Sequence, residues 1–456
     1  MTAARGAPIL GAMASPDPTS IAGKAFPLRG AFDHVVVGAG EAGIAAARAA
    51  AAAGAKTLLV DEHPLDPGLF GLDIPYLFGA RFDAAILNAA RMEERIVAAR
   101  PGLMAAMEDG VEVALGTAAW GGFVKGQASR ALPRPMLGLA GGDAAWLVGF
   151  DRLTIATGAR DVVLPFPGWT LPGVMGARGF DAVLRLYGAF GGRRIAVLGG
   201  GALAEGVVAA AREAGLDVVV QVTQAVRLRI EGREEVTGLA WQDGAQWRDV
   251  ACDTVVMAVD TVPMLDLPDL LGCSIGWDAA AGSFVPRGTE SIAIIGDAAG
   301  TAPAARAAWM DAALAEDHAL VCACEDVTAG DLRALRPPRY LAAAGPQAGL
   351  GALGTLNQDQ VKRLTRAGMG PCQGRRCRES VHALLSRDAP APLASHRAPL
   401  RPLPLSVLAA LEEDPALRAN WTNWFGIAAQ WLPHWEPVPE DAEYIGGRLS
   451  GEDVVK

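Results

Sequence analysis

Four of the six cysteines in this 456-residue chain stand in two tight pairs. Cys322 and Cys324 flank one alanine in "CACEDVTAG", and Cys372 and Cys377 bracket Gln-Gly-Arg-Arg in "GPCQGRRC". Four thiolates in two close pairs can bind a zinc ion or a 2Fe–2S cluster. Structural zinc usually takes Cys-x2-Cys pairs, so these spacings favour the cluster, with zinc and unmetallated thiols as the alternatives. Arg375, Arg376 and Arg378, beside the last pair, would offset a cluster's negative charge and raise its potential. Cys252 and Cys273 stand alone in apolar surroundings and read as buried small hydrophobes. The six histidines have no spacing suited to a metal or a triad, and no catalytic acid–base pair stands out.

A second chemistry-bearing stretch is "FDHVVVGAGEAGIAAARAAAAAGAKTLLVDE". An apolar run, Val35–Val37, passes through Gly38-x-Gly40-Glu41-x-Gly43 into an alanine-rich helix and a second strand over 57–60. One glycine makes the tight turn, one lets the backbone approach a pyrophosphate, and one lets helix pack on strand. The helix start offers free N–H groups and a partial positive charge to the phosphates. Asp61 and Glu62 end the second strand near the place where a carboxylate accepts ribose hydroxyls, and the spacing does not choose between them. Further on, "RLTIATGAR" is a strand ending in Ala156-Thr157-Gly158, and "SIAIIGDAAG" another ending in Gly296-Asp297. The three stretches, in this order, resemble the FAD-binding segments of two-dinucleotide-binding-domain flavoproteins. That likeness implies that Asp297 meets the ribityl chain and that the following helix points its N-terminus at the flavin.

Between ATG and GD the pattern repeats in "GGRRIAVLGGGALAEGVVAAAREAGLDVVVQVTQ", with Gly199, Gly201 and Ala204 on a G-x-G-x-x-A template. Its second strand ends in "QVTQ", with neither a carboxylate for a ribose nor an arginine cluster for a 2′-phosphate. Glu205 near the helix start would oppose a phosphate. This loop is either a working nucleotide site or a retained fold whose pocket holds little or another nucleotide.

These elements need a large α/β chain, and the composition allows one. Half of the residues are apolar, a fifth are charged, and 55 are glycine, which excludes a disordered or fibrous chain. A formal charge of −10 argues against a nucleic-acid partner. The longest apolar run, near residues 42–55, carries Arg48 and is too short to span a bilayer. The first thirty residues lack a charged start followed by a sustained apolar core, so no signal peptide is expected and the thiols are assigned to a reducing cytoplasm.

"CACEDVTAGDL", "VKRLTRAGMGPCQGRRC" and "FPGWTLPGVMGA" look like a 2Fe–2S domain of the bacterioferritin-associated-ferredoxin type fused to an FAD/NAD(P)-type flavoprotein. This architecture resembles the α (A- or B-type) subunits of hetero-oligomeric amine and imino-acid dehydrogenases or oxidases. That group includes opine oxidase A, hydrogen cyanide synthase B, D-hydroxyproline dehydrogenase and heterotetrameric sarcosine oxidase α. The likeness covers about residues 31–405. It implies an α/β fold with a nicotinamide-type domain (191–288) inserted in an FAD domain (31–190 and 289–318), after an N-terminal leader (1–30). A small, mainly helical cluster domain (319–385) follows, and then a Pro-rich arm and Trp-rich tail (386–456). It further implies Cys322, Cys324, Cys372 and Cys377 as cluster ligands, and a separate FAD-containing β subunit that oxidises the substrate C–N bond. A small additional subunit, an NAD(P) or adenine nucleotide in the inserted domain, and FMN at a subunit interface also fit that pattern, as does association with the inner membrane face through a partner. Two departures stand out. The segment between the cysteine pairs is long, and no Gly-Gly-Gln follows Asp61-Glu62.

Trp421, Trp424, Trp431 and Trp435 in the tail either anchor it on its own subunit or form a docking surface. Taken together, these motifs read as an electron-transfer flavoprotein subunit. The rival readings are a self-contained NAD(P)H-dependent reductase and a scaffold with vestigial sites.

Overall fold

The computed structural model describes residues 28–65, 84–124, 134–301, 306–337, 341, 356–386 and 390–409. Val35, Val36 and Val37 are β-branched and uninterrupted by charge, which suits a strand covered on both faces. They end the strand Leu28–Val37, which pairs in parallel with Thr57–Val60 on one side and Ala144–Ile155 on the other. The full sheet has seven strands in the order Glu112–Ala114, Thr57–Val60, Leu28–Val37, Ala144–Ile155, Met136–Gly141, Ala118–Phe123, and Ile292–Ile294 also pairs in parallel with Ala144–Ile155.

A second, all-parallel sheet repeats the design in the order Asp217–Val222, Arg194–Leu198, Thr254–Met257, Val174–Gly176. Its edge strand comes from upstream of residue 191. An antiparallel meander, Arg227–Gly232, Val236–Asp243 and Gln246–Ala251, is appended to it. The short antiparallel pair Ala159–Asp161 and Thr261–Pro263 carries the chain between the two sheets.

The repeat is visible atom by atom. Gly38 N–H donates to Val60 O and Ala156 N–H to Val37 O. Gly199 N–H likewise donates to Val222 O and Ala258 N–H to Leu198 O. Gly38 sits at φ +107 and Gly199 at φ +129, and a Cβ on either would overlap the carbonyl of Ala156 or Ala258. Only glycine satisfies both conditions.

The cysteine region holds a two-strand pair, Leu320–Cys322 with Val327–Thr328, and the helices Ala329–Ala334, Gln358–Thr365 and Arg378–Leu385. Two of these helices start on capping boxes, Thr328 with Asp331 and Asn357 with Gln360, so local sequence sets both starts. Cys322, Cys377 and Val381 share one continuous core with Val255, Met257, Trp309 and Met310, which joins the cysteine region to the second sheet. Cys252 and Cys273 are buried in apolar clusters, as expected. Past Pro390 the arm carries no helix or strand until Leu405–Ala409. The four tail tryptophans, residues 1–27 of the leader, and residues 338–340 and 342–355 between the cysteine pairs lie outside the described residues.

A nucleotide cleft joined to a cysteine turn

A cleft of about 470 Å³ opens at the carboxyl ends of the first sheet's parallel strands, where a doubly wound sheet presents its ligand site. Gly38, Gly40, Asp61, Glu62, Thr157 and Gly158, all singled out from sequence, line it. Gly43 lies behind the loop. A Cβ there would overlap Gly38 O and press on Ala156, so its absence lets helix Glu41–Ala52 seat against the strand. Glu41 is exposed in that helix's first turn. Asp297 is not among the lining residues, but it ion-pairs with Arg178, which is.

The two acids at the end of the second strand divide their work. Asp61 is buried and its carboxylate accepts hydrogen bonds from Ala39 N–H at 2.6 Å, His63 N–H at 2.8 Å and the Arg100 guanidinium at 3.0 Å. It ties the glycine loop to the strand. Burial alone would raise its pKa, but Arg100, His63 and the two backbone N–H groups hold it below the ordinary 3.8. Asp61→Ala should therefore cost about 3–5 kcal/mol at neutral pH, because it strands buried donors and a cation. Asp61's folded-state pKa lies below its unfolded value. Its stabilisation is therefore complete above that value and fades as pH falls through the folded one. Urea midpoints of parent and variant should converge in acid, and a constant gap from neutral pH down to pH about 2 would contradict the assignment.

Glu62 instead faces Arg401, at 2.7 Å, from the Pro-rich arm. The arm crosses the cleft mouth, with Leu400 buried and its N–H donated to Trp120 O. Arg401, Arg178, Arg100 and Asp266 also line the cleft, and sequence reasoning missed all four. The run "HRAPLRPLPL" held a hint, since two arginines in an extended arm suggest an acidic counterpart.

Asp266 is the junction of the site. Its buried carboxylate accepts from Arg375 Nε at 2.6 Å and lies 3.4 Å from Arg401 Nη1 and 3.5 Å from His396 Nε2. Burial opposes ionisation, but Arg375, His396 and Arg401 together hold the carboxyl well below its usual range. Arg375 lies within the second cysteine pair's turn and donates to Cys372 O at 3.3 Å and to Leu400 O. Arg160, two residues past Gly158 in the strand Ala159–Asp161, donates to Arg375 O at 2.6 Å and pairs with Glu379. One buried ionic network thus spans the cleft, the arm and the cysteine turn.

At that turn Gln373 and Gly374 are left-handed, at φ 52 and 82, and reverse the chain between Cys372 and Cys377. Cys322's thiol is within hydrogen-bonding contact of the free thiols of Cys324 and Cys377. The Cys324 contact pulls its pKa down, while the Cys377 contact and burial push it up, to about 12. Gly370 packs on Cys324 so closely that a Cβ would overlap the cysteine's own. Cys377 of the second pair therefore lies against Cys322 of the first. Among the described residues, no group of three or more His, Cys, Asp or Glu is arranged to hold a single metal ion. At the second glycine loop, Thr223 stands where the first has Asp61, and Gln221's amide donates to Gly199 O at 3.2 Å.

Comparison with known proteins agrees with this geometry. Residues 32–236 match the sequence profile of the pyridine nucleotide-disulphide oxidoreductases. The chain is 27% identical to the A-type component of opine oxidase from Rhizobium meliloti (strain 1021), over 84% of this chain and 99% of that one. It is 28% identical to the alpha chain of sarcosine oxidase from the same strain, over 62% of this chain and 30% of that one. Among solved structures, L-proline dehydrogenase from P. horikoshii superposes with a TM-score of 0.59 at 19% identity, over 84% of this chain and 80% of that one. No helix among the described residues is long and apolar enough to cross a membrane. With the glycine loop, the two sheets and these relatives in agreement, the protein is an oxidoreductase built on the α/β fold of the pyridine nucleotide-disulphide oxidoreductases.

Proposed function

We propose that this chain is the electron-transfer subunit of a hetero-oligomeric dehydrogenase or oxidase, with FAD in the cleft and a 2Fe–2S cluster on Cys322, Cys324, Cys372 and Cys377. A separate FAD-containing subunit would oxidise the C–N bond of an amino acid, imino acid, opine or N-alkyl amino acid. The observation that carries this reading is the Asp266 network, which fixes the cysteine turn against the cleft through Arg375 and Arg401. A carrier needs its two centres held rigidly and shielded from water, and a buried ionic lock does both.

The residues present fit the groups. Gly40 presents backbone to the cleft, with nothing within 4 Å of where a Cβ would stand, so a pyrophosphate can approach. Glu62 is the acid for the adenosine ribose, since Asp61 is committed to the loop. Gly158, with nothing within 4 Å of where a Cβ would stand, leaves room for the ring, and Asp297, beside Gly296 and paired with Arg178, would meet the ribityl chain. Four cysteines in two pairs match a two-iron cluster, in which each iron takes two thiolates. When bound, the flavin accepts electrons in twos and the cluster carries them singly. The chain's own residues bind, orient and exclude water, and Arg375 and Arg378 offset negative charge at the cysteine turn.

The second glycine loop is assigned no nicotinamide role here. Thr223 cannot accept ribose hydroxyls as a carboxylate does, a loss of about 1.5–3 kcal/mol, or roughly ten- to a hundredfold in affinity. Stopped-flow mixing with NADH should therefore give slow flavin bleaching without saturation at micromolar concentrations. Fast, saturable bleaching would favour the self-contained reductase instead.

A further inference from the structure

A second cavity, of about 440 Å³, lies outside the nucleotide cleft and is within the usual size range for a small ligand. The segment Val262–Leu265 is the partition between the two: Met264 lines the cleft, whereas Val262 and Leu265 line this cavity. Helix Arg378–Leu385, which begins directly after Cys377, supplies the opposite wall. The cavity therefore shares one wall with the nucleotide cleft and another with the helix that leaves the cysteine turn.

Its chemistry is narrow. Trp277, Phe284 and His382 form one aromatic wall, with ring centroids 5.2, 4.9 and 5.1 Å apart, and Trp277 is still 38% exposed. Uncovered ring surface of this kind favours a flat ligand. The two charges on the lining are already matched from outside it. Arg306 pairs with Asp260 at 3.1 Å, and Glu379 pairs with Arg160 at 2.5 Å. A charged ligand would lose its hydration here and meet charges already compensated by ion pairs, with the buried Glu379 Oε2 left as an acceptor for a hydrogen bond, so the cavity favours a neutral ligand.

We propose that this cavity binds a neutral, planar, electron-accepting ring of the quinone class, the acceptor of the electrons that the subunit carries. Its role rests on the electron-transfer reading above, but its binding does not. The balance closes. Oxidation of a CH–NH bond to C=N on the partner subunit releases two electrons and two protons, and reduction of a quinone to its hydroquinone consumes two of each. The electrons pass through this chain and the protons exchange with solvent.

Titration calorimetry with duroquinone tests the site, because that ring is fully substituted and does not alkylate thiols. The full chain should bind it saturably. Ala307→Trp and Ala383→Trp each add bulk at an exposed alanine on the lining. Both should weaken binding at least about tenfold while thermal midpoint and flavin content stay at parent values. Anthraquinone-2-sulfonate, which carries a charge, should bind more weakly than duroquinone by a similar factor. Absence of saturable duroquinone binding, unchanged affinity in both variants, or equally tight sulfonate binding would overturn the proposal. Flavin and iron contents are measured separately, so failure of the electron-transfer reading registers there and not in the titration.

Discussion

Gly40→Asp should give a well-folded chain that carries no flavin. Gly40 is the residue before helix Glu41–Ala52, at φ −73 and ψ 177, a backbone conformation open to any residue. A Cβ there meets nothing within 4 Å. Aspartate is also a preferred helix N-cap, so stability should hold or rise by a few tenths of a kcal/mol. The same side chain would project into the cleft with negative charge at the place assigned to a pyrophosphate. Steric exclusion and like-charge repulsion should together weaken flavin binding by at least about a hundredfold, and so empty the site during purification. Gly38 and Gly43 are poorer probes, because substitution there clashes with the protein itself. The measurements are the thermal midpoint of flavin-stripped parent and variant, and bound flavin after gel filtration. A folded variant with normal flavin content would remove the cleft from the account.

The second large effect is expected at the cysteine turn. Cys322→Ser or Cys377→Ser should abolish iron and acid-labile sulfide and leave flavin content unchanged. Both sulfurs are buried and in contact, so an oxygen at either position leaves one iron with a harder and weaker ligand. Flavin should remain, because the cleft is tied to this turn through Arg375 and Asp266 and not through a thiol. Cys252→Ser is the control. Cys252 is buried beside Asp253 and outside both cysteine pairs, so its loss should leave iron and flavin unchanged. Iron loss in the control equal to that in Cys322→Ser would mean that the effect is unfolding.

What could be read in advance follows from the range of the interactions involved. The glycine loops were legible because their conditions are local: Gly38 and Gly199 each answer to one φ and one neighbouring strand. The helix starts at Thr328 and Asn357 were likewise written within four residues. Pairings across the chain were not legible. Arg401 meets Glu62 across 339 residues and Arg375 meets Asp266 across 109, and no local pattern marks either carboxylate as a partner. Asp61 shows the converse limit. Its position fitted a ribose acid, but the direction of its side chain depended on Arg100, which no spacing rule places there. The second sheet's edge strand, Val174–Gly176, was hidden because a three-residue strand carries almost no periodicity. The proposed docking role of the four tryptophans concerns residues outside the described ones.

The most direct measurement is the cofactor content of the chain purified without oxygen, read by its visible spectrum together with flavin, iron, sulfide and zinc analysis. The account predicts about one flavin, about two irons and about two acid-labile sulfides per chain, with overlapping flavin and iron–sulfur absorption. A colourless protein, or stoichiometric zinc with no iron, would contradict it.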